Sequence, residues 1–236
     1  MQAKAPRKYF CQRTDSVKDR HAEDIVSITK LFRDAFNVEV YVYYGTLLGT
    51  IRENDFIGYD NDIDLAYLSK YDNPKDVRKE WDGIVRFLDD YRINKNFKRS
   101  SARVFEHITG KHKEFDSLLI QKNGPGQLHM WAPSGKTWVD LFVSWVCNGK
   151  VYALRHICGQ LGSSCLLPFV VKRLRKNRVF VPADYSKILE CMYGSEWEVP
   201  VDWEKNKKDK LKHYKRRHRN KPDSVSKKLY DMLRAK

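Results

Sequence analysis

Residues 43–68 constrain the fold more than any other part of the chain. An apolar run over 38–44 predicts a strand, and Gly45-Thr46 follows it as a glycine turn that opens a short helix. The segment then reads Tyr59-Asp60-Asn61-Asp62-Ile63-Asp64, and it continues into the apolar residues 65–68. This order predicts a strand, a helix and a second strand over 63–68 that carries carboxylates where it begins.

Asp62 and Asp64 are the first two candidate site residues. They are two positions apart, so on a strand both side chains leave the same face. Two carboxylates on one face repel each other unless a cation lies between them, and a divalent metal that holds a phosphate oxygen is the usual solution. A solvated acidic turn is the alternative. The apolar neighbours 63 and 65–68 disfavour it, because burying an unpaired carboxylate is costly.

Asp140 is the candidate for a third carboxylate. It lies in Thr137-Trp138-Val139-Asp140-Leu141-Phe142-Val143, a strongly apolar segment that predicts another strand. Asp is depleted in strands, so a structural reason for this residue is hard to find. The alternative is an Asp at a strand end that caps a loop. We expect Asp140 to complete the metal shell or to serve the chemistry directly.

The glycine turn supplies candidate phosphate ligands. Gly45 lets the backbone approach a ligand closely, and the N–H groups of the following helix can bind a phosphate. Thr46 can cap the helix or donate to a phosphate, and Arg52 can extend from the helix as a phosphate clamp. Taken alone, Gly-Thr is also typical of an ordinary helix start.

These residues resemble the LicD-type phosphotransferase family, which includes the fukutin-related proteins. The resemblance rests on Gly45-Thr46-Leu47-Leu48-Gly49, Arg52, Asp60 through Asp64 and Asp140. A later part is similar as well, with Val179-Phe180-Val181-Pro182, Tyr193-Gly194-Ser195-Glu196-Trp197 and Pro200. Two positions depart from the family pattern: Gly58-Tyr59 replaces a Pro-Trp pair, and the middle acid is Asn61. Tyr59 still supplies an aromatic face.

The resemblance implies an α/β (α+β) fold of nucleotidyltransferase type, a mixed sheet flanked by helices. It implies that Asp62, Asp64 and Asp140 hold Mg²⁺ (or Mn²⁺) or serve the chemistry. The implied reaction moves a phospho-alcohol, of phosphocholine or alditol phosphate type, from a CDP-linked donor to a hydroxyl of a surface glycan or glycolipid, releasing CMP. Two alternatives stay open: a nucleotidyltransferase that uses an NTP and releases pyrophosphate, and a non-catalytic polyanion-binding module.

Composition and charge bear on location and partners. The chain has 236 residues, a net charge of +15 and five cysteines, an odd number without a Cys-x-x-Cys pair, which favours free thiols in a reducing cytoplasm. We expect no secretory signal, because no apolar stretch follows the basic first residues. Many of the cations lie beyond residue 204: Lys205, Lys207, Lys208, Lys210, Lys212, Lys215, Arg216, Arg217, Arg219 and Lys221.

This basic segment predicts a charged helix or tail that binds a polyanion weakly. We expect peripheral contact with anionic lipid at the inner face of the membrane, or with an acidic glycan. A solvated helix without a partner is the alternative. We do not expect nucleic acid as a partner, since Trp203 and Tyr214 are too sparse to stack bases. We therefore divide the chain into a catalytic domain, 1–203, and a basic segment, 204–236.

Periodicity and turn signals predict the remaining elements. Helices are expected over 21–36, from Asn73-Pro74 onward, and over 184–193 with Asp184 as cap and Gly194 as stop. Asn148-Gly149 predicts a hairpin that makes the Asp140 strand antiparallel to the next one. Four short strand-like runs are expected between these elements, at Tyr91–Ile93, Ala102–Ile108, Ser117–Ile120 and Gln127–Trp131.

Overall fold

The computed structural model describes residues 9–94, 126–132, 134, 137–153 and 157–200. A short 3₁₀ turn, Phe10–Gln12, precedes four helices: α1 Asp15–Phe36, α2 Tyr44–Glu53, α3 Pro74–Asn94 and α4 Tyr185–Tyr193. Eight strands complete the described part: β1 Val40–Val42, β2 Ile63–Leu68, β3 Gln127–Trp131, β4 Trp138–Cys147, β5 Lys150–Ala153, β6 Ile157–Gly162, β7 Val170–Leu174 and β8 Asn177–Val181. A second 3₁₀ turn, Ser163–Cys165, follows β6.

Strand β4 organises a mixed six-stranded sheet. The path runs β1-β2-β4-β5-β6, and β3 pairs with the first half of β4. The β2–β4 pair is parallel, whereas the pairs of β4 with β3 and with β5 are antiparallel. Strands β7 and β8 form a separate two-stranded sheet. The expected α+β class with a mixed sheet and flanking helices is therefore confirmed.

Alternation along β2 separates the face covered by α1 and α3 from the face that carries Asp64. Tyr67 contacts Phe32 of α1 and Trp81 of α3, with ring centroids 5.9 and 6.1 Å apart, so both helices lie on its side of the sheet. Asp64 is three residues from Tyr67 and leaves the strand on the other side. Burial of the apolar residues of β2 and β4 on the Tyr67 side holds the strand ends in place, since Ile63, Leu65, Val139 and Leu141 are all fully buried.

Several predicted elements are confirmed. Strands β2 and β3 have the predicted bounds, and the Asn148-Gly149 turn joins β4 to β5 antiparallel. The Asp76 backbone N–H donates to the Asn73 side chain at 3.0 Å, so Asn73 caps α3 as expected. Asp184 caps α4 by accepting from the Lys187 backbone N–H at 3.1 Å.

Three predictions need correction. Helix α1 begins at Asp15 rather than residue 21, so the polar residues before the apolar stripe are helical too. The first strand covers only Val40–Val42, because Tyr43 is already the N-cap of α2. The strand-like run Tyr91–Ile93 is the last turn of α3, since no glycine or proline stops the helix before it.

Some predictions lie outside the described residues. These are the runs 102–108 and 117–120 and the basic segment 204–236, so the boundary after residue 203 stays a prediction. All five cysteines are free thiols, as expected. None of the described helices combines the length and apolar character that crossing a bilayer requires.

Candidate active site

Three carboxylates converge where β2 begins. Asp60 lies in the preceding turn, Asp62 directly before the strand, and Asp64 is its second residue. One oxygen from each carboxylate lies within 4.8 Å of the other two. The Asp60 backbone N–H donates to the Ile57 carbonyl at 3.0 Å, and Asp60 Oδ1 accepts from the Asn61 N–H at 2.9 Å. The turn therefore aims the Asp60 side chain at the two acids that follow.

The electrostatics of this cluster favour a bound cation. Burial raises the pKa of Asp64 well above its usual range, and the charges of Asp60, Asp62 and Asp140 raise it further. Burial also raises the pKa of Asp60. Negative charge in this site is thus poorly solvated by water and opposed by like charge. A hard divalent cation with oxygen ligands would relieve both effects, so the donor set fits Mg²⁺ or Mn²⁺.

The start of α2 holds Asp64 in place. The Gly45 N–H donates to Asp64 Oδ2 at 3.0 Å, and Thr46 Oγ1 accepts from the Asp64 N–H at 2.9 Å. Thr46 is fully buried. The structure thus brings Gly45 and Thr46 to the site, but in contact with a carboxylate, where sequence reasoning expected a phosphate.

Close approach explains the glycine at position 45. A Cβ there would lie 2.1 Å from Asp60 Oδ2 and 3.3 Å from Asp64 Oδ2. The preceding residue, Tyr44, has a φ of 37°, which places it in the left-handed region that side chains rarely adopt. The strained turn at Tyr44 directs the Gly45 N–H toward Asp64, and a residue with a Cβ at position 45 would displace the Asp60 carboxylate.

Asp140 lies next to Asp64, across the parallel β2–β4 pair. Its Oδ1 accepts from His129 Nδ1 at 2.6 Å and from Trp138 Nε1 at 3.0 Å. Gln127 Nε2 lies 3.4 Å from Oδ2. Three donors from β3 and β4 therefore orient this carboxylate, and Oδ1 takes the two shorter contacts.

The cluster of close oxygens contains Asp60 instead of the expected Asp140. Sequence reasoning missed Asp60 as a site residue, although a signal was present. Asp60, Asp62 and Asp64 follow one another at intervals of two, so an extended chain places all three on one side.

Arg52 and two tyrosines lie beside the acids. The Arg52 side chain is 8% exposed, and its Nε is buried without a hydrogen-bond partner among the described residues. Its guanidinium lies near the Tyr59 hydroxyl. Burial, followed by the charges of Asp64 and Asp60, raises the pKa of Tyr193 well above its usual range, so the end of α4 reaches the same site. Tyr193 belonged to the motif but was not predicted as a site residue.

A comparison with known protein families identifies the family to which residues 37–146 are similar. The model of the LicD/FKTN/FKRP nucleotidyltransferase domain matches residues 37–146. The chain carries a LicD-family domain. The match spans all three clustered acids, the start of α2 and Asp140, and it confirms the resemblance seen in the sequence.

The LicD domain indicates a transferase, with a phosphotransferase-type role in glycan modification. The second part of the resemblance, over residues 179–200, lies beyond the matched range and stays a prediction. No curated protein matches the chain.

Proposed function

We propose that this protein is a metal-dependent phosphotransferase. It moves a phospho-alcohol, of phosphocholine or alditol phosphate type, from a CDP-linked donor to a hydroxyl of a surface glycan or glycolipid, and CMP is released. The observation that carries the proposal is the cluster of Asp60, Asp62 and Asp64, with oxygens within 4.8 Å of one another, where β2 begins and beside the start of helix α2.

The clustered acids are the proposed ligands of Mg²⁺ or Mn²⁺. Asp60 joins Asp62 and Asp64 in this role because its carboxylate shares their cluster. When bound, the cation supplies positive charge that stabilises the phosphates of the donor and of the leaving CMP. Gly45 and Thr46 serve the site by fixing Asp64 through its carboxylate and its backbone N–H.

Arg52 and Tyr59 are the proposed binding groups for the donor diphosphate. A guanidinium binds phosphate oxygens in a fork of two parallel hydrogen bonds. Arg52 lies near Tyr59 and has a buried N–H without a partner among the described residues. A buried donor of this kind is costly unless a ligand satisfies it, which supports a role in binding an anion.

Asp140 is the proposed acceptor of the proton. The hydroxyl of the glycan or glycolipid attacks the phosphorus that bears the alcohol, and the bond from this phosphorus to the CMP oxygen breaks. The proton of the attacking hydroxyl passes to Asp140 Oδ2. His129 and Trp138 hold Oδ1 and so fix the direction of Oδ2. A role for Asp140 as a further metal ligand is the other assignment of the same carboxylate.

The test is incubation of the full-length protein and Mg²⁺ with CDP-choline, CDP-alditols or CTP, each with a glycan acceptor. We expect CMP from one CDP-linked donor and an acceptor whose mass increases by the phospho-alcohol. Asp62→Asn serves as the control and should release none. Pyrophosphate from CTP would instead identify a nucleotidyltransferase. No product from any donor, together with salt-sensitive polyanion binding, would identify a binding module.

We also propose that the basic segment 204–236 brings the enzyme to anionic lipid at the inner face of the membrane, from the cytoplasm. Each Lys or Arg near such a surface contributes about 1 kcal/mol. A chain ending at residue 203 should bind anionic liposomes less well, and yet keep its activity on a small soluble acceptor. Added salt should reproduce the truncation, since the attraction decays over about 8 Å in physiological salt. Equal liposome binding by both chains would contradict this role.

A further inference from the structure

A chain of polar contacts, partly buried at Arg13 and fully buried beyond it, runs from the acidic turn into helix α1. Arg13 donates through one nitrogen to the Asn61 carbonyl at 2.7 Å and through the other to His21 Nε2 at 2.6 Å. His21 Nδ1 donates to Thr137 Oγ1 at 2.5 Å, and Thr137 Oγ1 in turn donates to Asp24 Oδ2. This series of contacts thus has the Arg13 guanidinium at one end and the Asp24 carboxylate at the other.

Burial fixes which group donates and which accepts in each of these hydrogen bonds. His21, Asp24 and Thr137 are 3%, 4% and 1% exposed. Burial lowers the pKa of His21 to about 4, so the ring is neutral at physiological pH, accepting through one nitrogen and donating through the other. Every link then joins a donor to an acceptor. Loss of one link would leave a buried polar group unpaired, which is costly.

The backbone before Arg13 is joined to the same acidic turn. The Phe10 N–H donates to the Asp60 carbonyl at 2.8 Å, and the Cys11 N–H donates to the Gly58 carbonyl at 2.7 Å. The Phe10 ring stacks on Phe56 with centroids 4.4 Å apart, and the Arg13 guanidinium lies 4.5 Å from the Phe10 ring centroid. Residues 9–13 therefore form a clamp along one side of the turn that carries Asp60.

The far end of the chain of contacts reaches β4. Thr137 precedes Asp140 by three residues, at the entry to the strand. The contacts therefore connect the turn that carries Asp60 and Asp62 with the strand that carries Asp140, through α1. They add to the β2–β4 pairing, which places Asp64 next to Asp140.

We propose that Arg13 is a positioning residue for the carboxylate cluster, anchored through His21 and Thr137 to Asp24. The proposal rests on the metal-binding role given above to Asp60, Asp62 and Asp64. Mutation of groups that orient metal ligands without contacting the metal lowers metal affinity by roughly ten- to a hundredfold. Arg13 orients the turn between two of the three acids, so we expect an effect of this size.

Charge and position predict opposite results when Arg13 is removed. Loss of a nearby cation should by itself tighten binding of a divalent cation, since one repulsive charge disappears. Loss of the contacts that hold the acidic turn should weaken binding of the divalent cation, because ordering the turn would then cost free energy when the cation binds. The sign of the change in Mn²⁺ affinity therefore separates positioning from simple electrostatics.

The experiment is calorimetric titration of Mn²⁺ into the full-length protein and its variants, at a temperature where urea unfolding shows each variant to be folded. Arg13→Met should raise the Kd at least tenfold. Arg13→Lys keeps the charge but loses the two-nitrogen fork, so it should also bind more weakly, and it carries the test if Arg13→Met does not fold. Thr137→Ser keeps the linking hydroxyl and should bind like the wild type.

Two controls separate this proposal from the proposed function. Arg33→Met removes a cation that pairs with Glu39 at 2.8 Å, away from the acids, and should leave the Kd unchanged. Asp62→Asn should abolish binding. A wild type that does not bind Mn²⁺ would overturn the metal site and this proposal together. A wild type that binds, with Arg13→Met and Arg13→Lys binding equally well or more tightly, would overturn the positioning role alone.

Discussion

Replacement of Gly45 by alanine tests the geometry of the carboxylate cluster directly. The new Cβ would lie 2.1 Å from Asp60 Oδ2, whereas ordinary contact begins at 3.4 Å, so the Asp60 oxygen must retreat by about 1.3 Å. Metal–oxygen bonds in proteins tolerate about 0.2 Å of deviation. The required displacement is several times larger, so Gly45→Ala should remove Asp60 from the shell of a bound cation.

The effects on activity and on stability should separate. A misplacement of about 1 Å can lower turnover roughly a hundredfold, and we expect a loss of this size in kcat/KM for CMP release. The free energy of unfolding should change by less than about 1 kcal/mol. Alanine restricts the unfolded chain more than glycine does, which stabilises the fold, and this gain is about as large as the cost of the displaced Asp60 rotamer. Mn²⁺ titration and urea unfolding measure the two effects independently.

Two other glycines give matched controls. Gly83 lies in α3, and no atom of the described residues lies within 4 Å of the position that a Cβ would take, so Gly83→Ala should stabilise the protein by about 0.5–1 kcal/mol and leave activity unchanged. At Gly49 a Cβ would lie 2.5 Å from the Asp55 carbonyl oxygen and 3.0 Å from the Ile57 nitrogen. Backbone atoms cannot rotate away, so Gly49→Ala should destabilise the fold by about 2 kcal/mol.

Wild-type kcat/KM and Mn²⁺ affinity in Gly45→Ala would contradict this prediction. That result would show either that Asp60 is not a ligand or that the turn moves without consequence. Loss of activity together with global unfolding would show that Gly45 serves the fold and not the site.

Three further changes test individual side chains. Asp64→Asn removes the charge of a buried acid whose pKa is raised, while an amide oxygen can still accept from Gly45, so turnover should vanish and the urea midpoint should stay equal or rise. An active variant, or one that unfolds, would contradict this. Arg52→Lys keeps the charge but loses the fork, so donor KM should rise or kcat fall about tenfold. An unchanged kcat/KM for the donor would exclude Arg52 from the site. Burial and neighbouring arginines lower the pKa of His21 in the folded protein to about 4. The same side chain has a pKa of about 6.5 in the unfolded protein, so the unfolded protein binds a proton at His21 before the folded protein does as the pH falls. The stability that His21 contributes is therefore present above pH 6.5 and lost toward pH 4, by about 3 kcal/mol in urea titrations, and His21→Gln should lack this part of the pH dependence. Identical pH profiles for the two proteins would show that His21 is not held neutral.

Local pattern was sufficient for many elements of this protein. The apolar run over 63–68 and the strand-like run 127–131 predicted β2 and β3 with their bounds, and Asn73 and Asp184 were read correctly as helix caps. These features depend on interactions within a few residues, such as the two-residue period of a strand or a side chain that accepts from a backbone N–H three positions on. The order of glycine turn, Arg52 and acids was enough to indicate the family.

Tertiary structure decided how the site is assembled. The partner of Asp140 is His129 because β3 and β4 pair in that register, and no local pattern connects the two residues. Thr137 lies 116 residues from His21, and their contact exists because α1 packs against the entry to β4. Gly45 and Thr46 look like phosphate ligands in the sequence, but the fold turns them toward Asp64. Short-range periodicity determines which face a side chain leaves. Which groups meet on that face depends on packing between distant segments, because their contacts form only after each element has buried its apolar side.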